Sequence, residues 1–331
     1  MVKLKRKELE NKYKSLLAGG NIAREEFIFE IFLYQSENNP VYKQFINYLG
    51  INPGKISKIS DIPFLPVSFY KNHKIISGKW KEQKLFESSS TTGMTPSLNY
   101  IRNLQFYLDN TIYCFEEEFD SLNDYCFFAL LPSYLERSSS SLIYMIDYFI
   151  KKSGCGGFYK YNYKKLLQDM KAYKGNKKKI LFGVTFALLE MAEKYPEDIS
   201  DVIVMETGGM KGRGKELHRD EVHAILKNKF NLASVYSEYG MTELLSQSYS
   251  DGNGIFKTSK SMDIHISDIY DPFYFLPDGK QGKINVIDLA NIDTCSFIAT
   301  DDLGLKNADN EFKVLGRTDE SDVRGCNLLF Y

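Results

Sequence analysis

Four short segments of the chain concentrate hydroxyls, glycines, carboxylates and an arginine at close spacing. The first is Ser88-Ser89-Ser90-Thr91-Thr92-Gly93-Met94-Thr95-Pro96-Ser97. A run of hydroxyl residues competes with a helix for backbone hydrogen bonds, and the glycine after it permits a tight or left-handed turn. Hydroxyls and turned backbone N–H groups together cradle phosphate oxygens; the plainer reading is a solvated loop. The second is Ser237-Glu238-Tyr239-Gly240-Met241-Thr242-Glu243, after a strand pattern and ahead of an apolar run at 244–247 that reads as helical. That placement puts Thr242 and Glu243 near a helix N-terminus, where phosphate is favoured. Glu243 is then a candidate ligand for Mg²⁺, and Tyr239 offers a flat face to a base. The plainer reading is a strand-to-helix turn with a capping Thr. The third, Thr300-Asp301-Asp302-Leu303-Gly304, follows a strand pattern and offers two adjacent carboxylates to sugar hydroxyls. The fourth, Gly316-Arg317-Thr318-Asp319, follows a strand candidate at 312–315. Taken singly, each of these two reads as a β-turn.

Regular elements must bring such segments together. Phe27, Ile28, Ile31 and Phe32 recur at helical spacing across 25–36, and 41–49 repeats the pattern after Pro40. Pro63 and Pro66 force an extended stretch over 61–68. Further helices are predicted at 104–119, 140–152, 187–194 and 219–227. Strands are predicted at 179–184, 201–205, 233–236, 283–289 and 296–300, where short apolar runs are rich in β-branched residues. The alternation in the middle of the chain predicts an α/β core with much parallel sheet, and from residue 255 onward the chain is more β-rich. The simplest organisation is one domain over 1–316, with a helical N-terminal part (1–60) and a short tail (317–331) that carries Cys326.

Composition narrows the function classes. A formal net charge of −1 gives no overall positive field for nucleic acid. The basic residues at 3–7 lead into Glu8, Glu10 and Asn11 rather than an apolar run, unlike a secretion signal. No apolar stretch approaches the roughly 18 residues of a membrane span, so a cytoplasmic protein is expected. Cys114, Cys126, Cys155, Cys295 and Cys326 contain no Cys-x-x-Cys pair, which argues against a zinc site and a disulfide framework. Gly209-x-x-x-x-Gly214-Lys215 nearly spells a P-loop between a strand and a helix, but Glu216 stands where a hydroxyl should ligate Mg²⁺. No Gly-x-Ser-x-Gly elbow occurs. His218 and His223 are spaced to face apart and are expected on a solvated surface. Residues 138–141 read as a helix N-cap.

The four segments, in this order, resemble the adenylate-forming superfamily of acyl-CoA synthetases, peptide-synthetase adenylation domains and luciferases. Its phosphate loop is similar to 89–96, its Tyr-Gly-x-Thr-Glu motif matches 239–243, and its Gly-Arg-x-Asp motif matches 316–319. Its Thr-Gly-Asp motif is matched at 300–302 with Asp301 in place of the glycine. A closer resemblance is to the LuxE-type acyl-protein synthetases, the ligase component of bacterial fatty acid reductase. It rests on Phe64-Leu65-Pro66-Val67-Ser68-Phe69, Leu131-Pro132-Ser133-Tyr134-Leu135-Glu136-Arg137, Glu206-Thr207-Gly208-Gly209-Met210-Lys211-Gly212 and Arg324-Gly325-Cys326. The likeness starts near residue 60.

The resemblance implies the large N-terminal domain of an adenylate-forming enzyme, with the C-terminal lid missing or vestigial. It implies ATP-dependent activation of a carboxylic acid, a fatty acid by family, and transfer of the acyl group to a thiol. Ser89, Ser90, Thr91, Thr92 and Gly93 would hold the ATP phosphates, and Gly208, Gly209 and Gly240 would line the nucleotide site. Tyr239 would stack on adenine, Thr242 would contact the α-phosphate, Glu243 would bind Mg²⁺, and Asp302 would hold the ribose with Arg317 nearby. Cys326 would carry the acyl group, and Arg324 would favour its thiolate. The hinge lysine of the superfamily is missing after Gly316, and Lys211, Arg213 or Lys215 are candidates to replace it. An acyl-CoA reductase-like protein or an acyl carrier protein would be the partner. An acyl-CoA ligase, or a nucleotide-binding scaffold without turnover, are the alternatives.

Overall fold

The computed structural model describes residues 5–88, 95–132, 139–208, 217–309 and 311–317. The chain opens with helices α1 (Arg6–Leu17), α2 (Arg24–Asn38) and α3 (Pro40–Tyr48). Proline at the first turn of α3 loses no hydrogen bond, and the Asn39 side chain caps that helix by accepting from the Tyr42 N–H. Strand β1 (Leu65–Pro66), helix α4 (Phe69–Asn72), strands β2 (Lys84–Glu87) and β3 (Leu98–Ile101) and helix α5 (Leu104–Glu116) follow. The middle of the chain alternates: β4 (Tyr125–Leu130), α6 (Ser141–Ser153), β5 (Gly156–Phe158), α7 (Tyr163–Ala172), β6 (Lys178–Val184), α8 (Thr185–Lys194), β7 (Val202–Thr207), α9 (Arg219–Phe230) and β8 (Tyr236–Tyr239). The last part is all strand: β9 (Ser248–Ser250), β10 (Phe256–Lys257), β11 (Met262–Ser267), β12 (Gly282–Asp288), β13 (Phe297–Lys306) and β14 (Glu311–Arg317).

One large sheet runs in the order β11-β12-β13-β14-β10-β9-β8-β7-β6-β4-β5. From β8 to β5 every pair is parallel, and β4 is buried along its whole length. A parallel sheet covered by crossover helices on both faces needs such uninterrupted apolar runs. The chain moves one way along the sheet through α6 and the other way through α7, α8 and α9. Right-handed crossovers therefore set α6 on one face and the other three on the opposite face. Helix α5 packs beside α6.

Strand β9 pairs antiparallel to β8 and starts the second half. Here burial alternates along the strands, as in β11 and β13, the pattern of a sheet with one covered face. That cover comes from α1–α3: Phe32 and Tyr42 pack on Phe297, Arg24 pairs with Asp263, and the Gln35 amide donates to Asn291 O and accepts from Ser296 N. The first half of β13 also pairs parallel with β1 at Ile298 and Ala299, and its second half pairs with β14.

Several sequence expectations change. The predicted strand at 233–236 is displaced to β8, because the chain leaves α9 through a left-handed Asn231 and extends only from Tyr236. The run 244–247 is not helical: it is a loop to β9, fixed by bonds from outside the segment. Residues 300–304 and 316–317 lie inside β13 and β14 rather than in turns after them, with a bulge between Leu303 and Gly304. Cys126 and Cys155 form a disulfide, since parallel pairing of β4 and β5 brings positions 29 apart in sequence together. His223 is buried, not solvated, on the packed face of α9, while His218 is exposed at its N-terminus.

Candidate active site

The residues singled out from the sequence that fall within the described chain gather where the parallel half meets the antiparallel half. This seam lies beyond the C-terminal end of β8, the side of a parallel sheet on which ligands are usually bound. Tyr239 ends β8 there. Its ring packs edge-on against Phe256 and Phe312, and its hydroxyl donates to Asp302 Oδ2 at 2.9 Å. Arg317 Nε donates to the other Asp302 oxygen at 3.0 Å. The carboxylate of Asp302 is buried between these two donors and keeps acceptor capacity, since each of its oxygens has a second lone pair. Burial and the Asp302 charge push the Tyr239 phenol well above its ordinary range.

The loop 240–247 carries Thr242, half-buried, and Glu243, buried. It turns once, Leu244 N donating to Met241 O at 3.1 Å, and long-range bonds hold it in place. Asp288, at the end of β12, accepts from Leu245 N at 2.7 Å, from Ser246 N at 3.1 Å and from the Ser246 hydroxyl at 2.7 Å. Asn291 donates to Glu243 O, Asn110 of α5 to Leu245 O and Asn99 of β3 to Thr242 O, at 2.8, 2.9 and 2.8 Å. Asp288, Asn99, Asn110 and Asn291 were not singled out from the sequence. The available signal was a polar residue on an otherwise apolar face, as with Asn110 inside α5 and Asp288 closing the run Ile284 to Ile287. A Cβ at Gly240 would lie 2.4 Å from Glu238 Oε1, so any larger residue there would have to displace that carboxylate.

The hydroxyl residues Ser89, Ser90, Thr91, Thr92 and Gly93 lie outside the described residues, but both ends of their loop are placed. Ser88 N donates to Ser97 O at 3.0 Å, and Ser97 N to the Ser88 hydroxyl at 2.8 Å. This closed root continues from the β2–β3 hairpin. Burial raises the Glu243 carboxyl, and the Ser97 hydroxyl beside it pulls in the other direction. The hydroxyl-rich loop therefore springs from beside Glu243. Gly208, just after β7, adopts a left-handed φ of 75°, and its carbonyl lies 3.2 Å from the Thr185 hydroxyl oxygen. Gly209, Lys211, Arg213, Lys215 and Cys326 lie outside the described residues, as does the near P-loop stretch 209–215.

Two further buried carboxylates flank the site, one on each face of the sheet. Glu206 of β7 accepts from Arg219 Nε, Ser237 and Thr185, each at 2.9 Å, with His223 Nε2 3.7 Å away. Burial alone would raise its pKa, but His223, the Arg219 charge and the Thr185 hydroxyl outweigh it and hold the carboxyl at about 2. Arg219 also lies over the Phe256 ring and donates to Val314 O of β14. Among the described residues, Glu238 of β8 accepts one hydrogen bond, from the Thr207 hydroxyl. Burial dominates there; the Thr207 bond opposes it, the Glu206 charge adds to it, and the pKa rises to about 7. Among the described residues no group of three metal-ligating side chains occurs, and no helix is long and apolar enough to cross a membrane.

This architecture is that of the adenylate-forming enzymes. The chain is similar to 2-hydroxyisobutyryl-CoA ligase, solved with 2-HIB-AMP and CoA, at 13% identity and a TM-score of 0.64, covering 89% of this chain and 70% of that one. It is also similar to ATP-bound MatB from Rhodopseudomonas palustris, at 16% identity and a TM-score of 0.54, covering 70% of this chain and 47% of that one. A third likeness is to O-succinylbenzoate coenzyme A synthetase (MenE) from Bacillus subtilis with ATP and magnesium, at 16% identity and a TM-score of 0.50, covering 70% and 49%. The chain thus spans about half the length of the MatB and MenE structures. No curated protein matches it. Within this class, the family model for the LuxE acyl-protein synthetases matches residues 129–330, more than half of the chain, and the chain belongs to that family.

Proposed function

We propose that this chain activates a carboxylic acid with ATP and passes the acyl group to a thiol. The observation that carries the reading is the meeting of the Thr242–Glu243 loop, the Tyr239–Asp302–Arg317 cluster and the root of the Ser/Thr-rich loop at one seam. A carboxylate oxygen attacks the α-phosphorus of ATP, the bond to the β-phosphate bridge breaks, and pyrophosphate leaves with the electron pair. A thiolate then attacks the acyl carbonyl, and AMP leaves as the second product.

Each residue has a part in this scheme. The hydroxyls at 89–92 and the Gly93 turn hold the phosphates, Thr242 meets the α-phosphate, and Asp302 accepts from the ribose hydroxyls while Arg317 fixes its orientation. Tyr239 supports Asp302 and borders the base, with Gly208, Gly209 and Gly240 leaving room for the nucleotide. Magnesium commonly binds through one or two carboxylates plus phosphate oxygens. Glu243 fits that donor set: it is a single carboxylate beside the phosphate loop, disfavoured as an anion by burial, and a cation relieves that. When bound, the ion neutralises charge on the phosphates. Lys211, Arg213 or Lys215 supplies a further cation to departing pyrophosphate. Cys326 takes the acyl group as a thioester on the 317–331 tail.

The family favours a fatty-type acid as substrate and a reductase-like protein as acceptor; an acyl carrier protein is the alternative acceptor in this scheme, which runs in the cytoplasm. Acid-dependent exchange of labelled pyrophosphate into ATP tests activation: exchange is expected, and none with any acid would refute the reading. Cys326→Ser is expected to abolish covalent acyl labelling while exchange continues; unchanged labelling removes Cys326 from the scheme.

A further inference from the structure

Behind the Thr242–Glu243 loop lies a group of buried polar side chains that nothing in the scheme above uses. Antiparallel register sets Glu238 of β8 directly opposite Tyr249 of β9, so the two share one face of the sheet. Gln247 joins them: a Cβ on Gly240 would meet both Glu238 Oε1, at 2.4 Å, and Gln247 Cγ, at 3.3 Å. The three residues are 6%, 4% and 1% exposed.

Their polar atoms are under-used. Gln247 Oε1 and the Tyr249 hydroxyl are buried without a partner among the described residues. The Gln247 amide nitrogen is spent on Leu245 O at 3.3 Å. Glu238 accepts from Thr207 through Oε2, and no described residue donates to its Oε1. Potential donors nearby are engaged. Tyr107 donates to Ser141 O at 3.1 Å, Thr111 to Leu108 O at 2.7 Å, and the Cys114 sulfur lies with Ser259 and Ser261. The described residues thus leave two acceptor oxygens, Gln247 Oε1 and Glu238 Oε1, beside one hydroxyl, that of Tyr249, which can give or take a bond. Leaving a buried polar group unpaired costs about 1–3 kcal/mol, and native proteins keep few of them.

The location is also specific. Tyr239, with Asp302 and Arg317, occupies the opposite face of β8 from Glu238, because successive strand residues alternate. A nucleotide on the Asp302 side and an acid reaching the loop 240–247 from the Glu238 side would meet at Thr242. We propose that the acid activated here carries a hydrogen-bond donor on its chain, a hydroxyl or an ammonium group, received by Glu238, Gln247 and Tyr249. The inference rests on the acid-activating function above and names its substrate class.

The test measures pyrophosphate release by the full chain with length-matched acids that are unsubstituted, hydroxylated or aminated; the last two arms separate the two donor types. A site built to bond a polar substituent rejects the analogue that lacks it by large factors. At least a ~100-fold preference in kcat/KM for a donor-bearing acid is expected. Tyr249→Phe removes a hydroxyl without a partner among the described residues and should fold as well as the parent, whereas Gln247→Leu also gives up the 3.3 Å bond to Leu245 O and is read through the preference ratio rather than through stability. Each is expected to narrow the preference to about tenfold or less, as is Glu238→Leu, whereas a purely structural role would leave the ratio unmoved. Equal or better use of unsubstituted acids, or a ratio that no substitution changes, would mean that these atoms hold buried water only and overturns the inference. If no acid releases pyrophosphate although ATP binds, the activating function itself fails and the inference with it.

Discussion

The parallel and antiparallel halves of the sheet build the site by different means. The parallel half is buried on both faces, so its strand ends are fixed by apolar runs such as those of β4, β6 and β7. It delivers Gly208, Glu238 and Tyr239 to one edge. The antiparallel half has one covered face, and its strands carry polar residues inward as well as outward: Asp288, Asp302 and Thr300 are all buried. Asp288 holds the loop that the parallel half presents, and Asp302 holds the Tyr239 hydroxyl. One half thus sets position by burial, the other by directed hydrogen bonds, and the two should fail differently when altered.

The largest expected effect is at the loop itself. Glu243→Gln should lower acid-dependent pyrophosphate exchange by about 100-fold or more, as removal of one charge-stabilising group does elsewhere, with the melting temperature nearly unchanged. An equal loss of stability would recast Glu243 as a core residue. Asp302→Asn comes next: about a tenfold rise in the KM for ATP is expected, the size of one hydrogen bond to a charged group, and steady-state kinetics over an ATP series would show it.

A sharper contrast lies between the two carboxylates on neighbouring strands. Glu206 is held at about 2, below its ordinary 4.5, so its stabilisation is present above pH 4.5 and disappears as pH falls toward 2. Glu238 is raised to about 7, so stability falls as pH rises from 4.5 to 7, and the penalty is complete above that. Each effect is on the order of 3 kcal/mol. Urea midpoints against pH should therefore show Glu206→Gln losing its stability deficit toward pH 2, whereas Glu238→Gln is more stable than the parent at pH 8 and not at pH 4. Parallel curves for the two variants would contradict the environments described here. The smallest effect is expected at the disulfide. Cys126→Ser should change exchange by less than about twofold, since burial in the packed sheet already fixes that strand.

The same division explains what could be read from the sequence. The runs at 179–184 and 201–205 predicted β6 and β7 to within two residues, because continuous burial leaves a local signature. The segment 240–247 misled, since Thr-Glu followed by two leucines imitates a capped helix. What holds it as a loop is Asp288, Asn99, Asn110 and Asn291, from distant parts of the chain. Asp302 and Arg317 were legible as candidate residues, but not as neighbours inside two paired strands. His223 read as solvated because its partners, Glu206 and Ser237, come from other strands. The Cys126–Cys155 bridge had no spacing signal, being made by strand pairing.

The claim most in need of measurement is that one nucleotide lies across the seam. A crystal structure of the full chain with AMP is expected to show the ribose hydroxyls within hydrogen-bond reach of Asp302 and the phosphate against Thr242. AMP bound elsewhere, with the Tyr239–Asp302–Arg317 cluster untouched, would contradict it.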